Sequence, residues 1–206
     1  MSEVVSTTST GIFTGLLDIY VAKLTSKDEP GVKPVYDEPR VLGCGIEVTI
    51  TPSYQSGELN ASNRTIRRAR RLNSYTLKLN PEALTPEAAN YVLDRKKDAN
   101  GVQIVSGAIQ EPPCFAVGIA RTKDNGAREL WWMYKAVFDE TEVSGKTEES
   151  GSIAYQTPSI NAVCYRRNSD GSLATIADSD DNAIPASVIS GWFNAVYEPS
   201  DTKAGS

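Results

Sequence analysis

Five arginines fall within eight residues, Arg64, Arg67, Arg68, Arg70 and Arg71, with Ile66 and Leu72 among them. They stand out because the whole chain is acidic, with 21 Lys and Arg against 26 Asp and Glu and a formal net charge of −5. A guanidinium is a planar fork of donors that grips carboxylates or phosphates bidentately. The run therefore has three possible uses: docking on an acidic surface of a neighbouring copy, contacting nucleic acid phosphates, or standing solvated. It lacks the aromatic platforms that single-strand binders stack bases on. The acidic balance also weighs against a protein whose main task is to coat nucleic acid.

Other chemistry is sparse. The 206 residues contain no histidine, which excludes Ser-His-Asp and Cys-His nucleophile pairs and the usual general base near neutral pH. Asp178-Ser-Asp180-Asp181-Asn182 resembles the start of a calcium loop. Yet Ala183 stands where the turn glycine belongs and Ile189 where the twelfth-position glutamate belongs, so a solvated acidic turn is expected. Gly43-Cys44-Gly45 lacks a third glycine and a following helix and is no dinucleotide site. Three widely spaced cysteines, Cys44, Cys114 and Cys164, suit neither a disulfide framework nor a zinc cage and are expected as buried thiols in strands. No catalytic residue, metal ligand or cofactor site is assigned, and the expectation is a non-enzyme.

The elements that must carry the arginine run are mostly strands. Leu17, Ile19 and Val21 share a face, and Ile46, Val48 and Ile50 alternate with Glu47, Thr49 and Thr51. Tyr75, Leu77 and Leu79 form another apolar face, as do Phe115, Val117 and Ile119. Asp124-Asn125-Gly126 and Ser169-Asp170-Gly171 predict two antiparallel hairpins, because Asn-Gly and Asp-Gly supply positive φ. In Glu129–Phe138 one face carries Leu130, Trp132, Tyr134, Ala136 and Phe138. The other mixes Trp131, Met133 and Val137 with charge, a face to be covered by the same chain or by another subunit.

A first helix is expected from Thr85 as N-cap with Pro86 next, Arg95–Lys97 at its C-terminal end, and Asn100-Gly101 closing the segment. A second is expected over Pro185–Tyr197, where Val188, Ile189, Trp192, Phe193 and Val196 recur at helical spacing. Residues 26–40, 51–72 and 140–151 read as loops. The fold class is a β-rich α+β domain, a sandwich or barrel of antiparallel strands with one or two packed helices. A flexible arm at 1–10, a single domain at 11–199 and a loose tail at 200–206 complete the organisation. No secretory signal or membrane span is evident, so a soluble protein made in a cytoplasm is expected.

Several ordered segments carry a likeness to a known family: Gly15-LLDIYVAKLT, Gly45-IEVTITPS, Pro113-CFAVGIARTKDNG, Leu130-WWMYKAVF, Gln156-TPSINAVCYRR and Trp192-FNAVYEP. In this order and spacing, from about Gly15 to Pro199, the chain resembles the major tail proteins of siphovirus-type phages. The resemblance implies a β-sandwich with a flanking helix that assembles into six-membered rings, stacked as a tube around a tape-measure protein. It further implies contacts with tail terminator and baseplate proteins, transient passage of DNA, and residence in the virion after synthesis in the bacterial host cytoplasm. The family leads one to expect a mobile stacking loop with small or acidic residues at Asn60–Leu72, so the arginine run is a departure. With the resemblance in view, Arg64, Arg67, Arg68, Arg70, Arg71, Trp131 and Met133 are the candidate subunit-interface residues. The alternative is a β-sandwich module that recognises carbohydrate or a host surface, with Trp131 exposed on a sheet face.

Overall fold

The computed structural model describes residues 11–61, 64–107, 111–141, 143, 145–147 and 155–199. The expectations for the arm at 1–10, the tail at 200–206 and much of the acidic segment 140–151 lie outside the described residues. In chain order the elements are β1 (Phe13–Leu16), β2 (Asp18–Lys23), β3 (Arg40–Ala61), β4 (Arg64–Pro81), α1 (Pro86–Leu93), β5 (Lys96–Lys97), β6 (Gln103–Ile104), β7 (Phe115–Lys123), β8 (Arg128–Phe138), β9 (Ile160–Tyr165), β10 (Ala174–Asp178) and α2 (Ala186–Ser190).

Antiparallel pairing runs β7–β2–β3–β4–β9–β8 and returns from β8 to β7, closing a six-stranded barrel. Closure follows from a bulge: three residues, Phe115 to Val117, oppose four, Met133 to Ala136. A bulge bends its strand and shifts which side chains face which way. Before it, β8 pairs with β10 through Glu129–Met133; after it, Ala136–Phe138 pair with β9. Two sequence expectations are corrected here. The Ser169-Asp170-Gly171 turn does not form a β9–β10 hairpin, since both strands lie along one edge of β8. Nor do Leu130 through Phe138 keep one face, because Met133, Ala136 and Phe138 share the barrel core while Leu130, Trp132 and Tyr134 point the other way. The Asp124-Asn125-Gly126 turn does join a hairpin, β7–β8, with Gly126 at φ +82°.

The barrel core holds Ile19, Val21, Leu77, Leu79, Phe115, Val117, Ile119 and Ile160, and α1 adds Val92. Thr85 caps that helix by accepting the Ala88 N–H at 3.1 Å, and Pro86 needs no partner at the first position. The helix stops at Leu93 because Asp94 turns left-handed at φ +50°. Lys96 and Lys97 therefore leave the helix and pair with Ile104 and Gln103 in a small hairpin. Val48 and Ile50 pack against the barrel core as expected, but a bulge between Gly45 and Glu47 leaves Ile46 exposed.

The second core lies on the outer face of β7 and β8. Between its inward residues β7 carries Ala116, Gly118 and Ala120, which admit the C-terminal segment. Trp132 Nε1 donates to Trp192 O at 3.0 Å, Tyr134 Oη to Tyr197 O at 2.8 Å, and Phe193 stacks on Tyr20 at 4.2 Å. The apolar residues of 188–196 dock as expected, yet the helix covers only Ala186–Ser190. Pro185 provides no side-chain cap and Gly191 ends the helix, so turns, held by the second core, present Trp192 and Phe193 to the body.

Two buried cations fasten the ends. Lys123 Nζ donates to both Asp178 oxygens at 2.7 and 2.6 Å and to Asp180 at 2.8 Å. The acidic turn at 178–181 is thus tied to a buried lysine rather than simply solvated. Arg167 is buried over the Tyr134 ring at 3.9 Å and ion-paired with Asp170 and Glu198, each at 2.6 Å.

Two outcomes are expected. A Cβ on Gly118 would meet the Trp132 ring at 2.8 Å and Phe193 at 3.0 Å, so Gly118→Ala should cost about 1–3 kcal/mol in urea unfolding. The Lys123 hydrogen bond holds Asp180 below the ordinary carboxylate range, and Arg95 does the same to Glu140. Burial pushes Asp28 and Asp170 upward, but hydrogen bonds from Lys135 and Arg167 and from backbone N–H groups outweigh it and lower both. Depressed carboxylates stabilise the fold above their unfolded pKa and lose that contribution as pH falls through the folded value. The thermal midpoint should hold from about pH 7 to 5 and drop steadily below about pH 4, checked by calorimetry across that range.

Candidate assembly interface

Residues 51–61 and 64–72 are not a loop but parts of β3 and β4. β3 and β4 stay paired from Gly45–Pro81 out to Ala61–Arg64, past the point where any other strand accompanies them. β2 leaves β3 at Cys44, and β9 leaves β4 at Ser74. From Tyr54 outward the pair is a free two-stranded arm about 25–30 Å long. The sequence hid it because its alternation is not hydrophobic: with no core on either face, neither face has to be apolar. The available signal was two polar segments of matched length, free of proline after Pro52, flanking Ser62-Asn63.

Register sorts the arm into two faces. Tyr54, Ser56 and Glu58 oppose Leu72, Arg70 and Arg68 on one; Gln55, Gly57 and Leu59 oppose Arg71, Ala69 and Arg67 on the other. On the first, Arg70 stacks over Tyr54 at 3.6 Å and Arg68 pairs with Glu58 at 2.7 Å. On the second, Arg71 donates to Gln55 at 3.0 Å. Arg64, Arg67, Arg68, Arg70 and Arg71 are all exposed, as are Tyr54, Leu59 and Ile66. With five arginines and one glutamate, the arm carries +4, leaving −9 on the rest of a chain of net −5.

The two candidates on β8 are placed differently. Met133 is fully buried in the barrel core and cannot meet a neighbouring subunit; its cover comes from the same chain. Trp131 is half-buried, edge-on to Tyr75 at 6.5 Å, with Nε1 donating to Glu129 at 2.5 Å. It is not the exposed ring that a carbohydrate platform requires. The cysteines also diverge: Cys164 is buried, Cys114 half-buried, and Cys44 exposed on β3. The hydrogen bond with Asp18, and then the charge of Glu82, raise the Cys44 thiol above its ordinary value, which disfavours the reactive thiolate.

Neither a family model nor a curated protein matches this chain.

A two-stranded ribbon without a third strand or a packed face is marginal in water. Amide exchange in the monomer should therefore be fast at Tyr54–Leu59 and Arg67–Leu72 and slow at Leu77 and Leu79 in the barrel. Arm amides as protected as those of the barrel would show that the arm needs no partner.

Proposed function

We propose that this chain is a self-assembling structural subunit, a tube-forming major tail protein of a long-tailed phage, and not an enzyme. The observation that carries the reading is the arm: a long ribbon without a core, exposing both edges and both faces, and basic on an otherwise acidic body. Unpaired edges of this length invite another chain, and natural proteins keep them only where they are covered or used. A heterologous contact between an arm and a different surface of the next copy generates a ring if the rotation closes and a stack if it does not. That is the geometry of a tube built from stacked rings, as the resemblance in segment order also suggests. In this reading the rings are six-membered, a tape-measure protein fills the channel during assembly, and terminator and baseplate proteins bind the ends. DNA passes through transiently and without sequence preference, and an acidic body suits that task by discouraging phosphate from sticking.

The test is negative-stain microscopy and sedimentation of the concentrated protein beside a variant with Arg67, Arg68, Arg70 and Arg71 replaced by serine. The natural chain should form rings or hollow tubes while the variant stays a folded monomer. Tubes of normal length and yield from the variant would refute the role of the arm. Raising salt from about 0.1 to 1 M shrinks the screening length from about 10 to 3 Å and should weaken growth of the natural chain.

A further inference from the structure

The arginines of the arm are not equivalent, and their pairing separates them by face. On the Tyr54 face both are engaged: Arg68 by the Glu58 carboxylate at 2.7 Å and Arg70 by stacking on Tyr54 at 3.6 Å. These cross-strand pairs hold the two strands in register. On the opposite face Arg67 has no ion pair or side-chain hydrogen bond among the described residues, and Arg71 gives one donor to a neutral amide, Gln55. Between these two arginines lies the Gly57–Ala69 pair. Nothing stands within 4 Å of the position a Gly57 Cβ would take. The result is a shallow seat floored by small residues, flanked by two arginines whose Cα atoms lie about 13 Å apart along the strand, and bordered by the exposed Leu59.

We propose that this second face, Arg67 and Arg71 around the Gly57–Ala69 seat, is the one occupied by a second copy of the chain, and that the Tyr54 face serves to stiffen the arm. The proposal rests on the reading that the arm docks on another copy, and it adds which face does so and by what chemistry. The occupant is a carboxylate-bearing protrusion narrow enough to enter the seat. A second copy fits because its body carries −9 against +4 on the arm. A guanidinium without an internal partner can give both of its parallel N–H groups to one carboxylate.

The experiment uses the full chain and three variants: R67S/R71S, R68S/R70S, and Gly57→Val, which fills the seat without changing charge. Fold is followed by thermal melting, arm order by amide exchange, and assembly by the critical concentration for tube growth at fixed salt. R67S/R71S and Gly57→Val should each raise the critical concentration roughly tenfold or more, the loss of about one charge-assisted contact. R68S/R70S should speed arm exchange in the monomer while raising the critical concentration less than about threefold. Equal losses from the two arginine pairs, or no effect of Gly57→Val, would overturn the assignment of faces and leave docking by the arm intact. If tubes grow normally from all three, docking by the arm itself is refuted. If the natural chain stays monomeric but binds a DNA oligonucleotide through Arg67 and Arg71, the occupant is nucleic acid and the proposal fails.

Discussion

The bulge that sets Met133–Ala136 against Phe115–Val117 is the feature on which the rest of the body depends. One extra residue lets a single edge of β8 serve two partners, β10 before the bulge and β9 after it. Pairing with β9 closes the barrel, and closure removes the edges that an open sheet would leave exposed. The same shift sends Trp132 and Tyr134 outward and Ala136 and Phe138 inward, so the strand feeds two separate cores. The outer core then needs a cover, and the C-terminal segment supplies it.

Closure of the body makes the arm conspicuous. Every described strand near the core is paired and packed, whereas β3 and β4 run on beyond their last neighbours with Tyr54–Leu59 and Ile66–Arg71 in solvent. Internal pairing, the Glu58–Arg68 ion pair and the Arg70–Tyr54 stack, gives the ribbon some order. Exposed pairs of this kind contribute little each, so the arm by itself is far less stable than the barrel. The body and the arm thus follow different rules. The body is built on apolar burial and buried ion pairs such as Lys123 with Asp178 and Asp180; the arm on backbone pairing and exposed charge.

The buried cations tie distant parts of the chain together. Lys123 joins the β7–β8 turn to the segment after β10, and in the same corner Asp124 exchanges hydrogen bonds with Ile12 at 2.9 Å. Arg167 joins the turn after β9 to Glu198 near the end of the described chain. Both lysine and arginine are costly to bury unless carboxylates come with them. The carboxylates of these segments therefore lie where the buried cations need them.

Local chemistry determined much of this in the sequence alone. The strand faces of Phe115–Ile119 and Leu77–Leu79, the cap at Thr85-Pro86 and the turn at Gly126 were legible because each is set by periodicity, by a side chain next to its own backbone, or by a φ angle. The arginine run was legible as an anomaly of charge. Tertiary structure decided what depends on neighbours far along the chain: that β9 and β10 share one edge, that a bulge divides β8 between two cores, and that Trp192 and Phe193 dock from turns instead of a helix. It also decided that residues 51–61 and 64–72 form a ribbon, because a strand pair with two solvated faces carries no hydrophobic period to announce it. Met133 was misplaced for the related reason that a charged, mixed strand face looks alike whether its cover is the same chain or another. Sequence periodicity records which side chains leave water; only the fold determines what they leave it for.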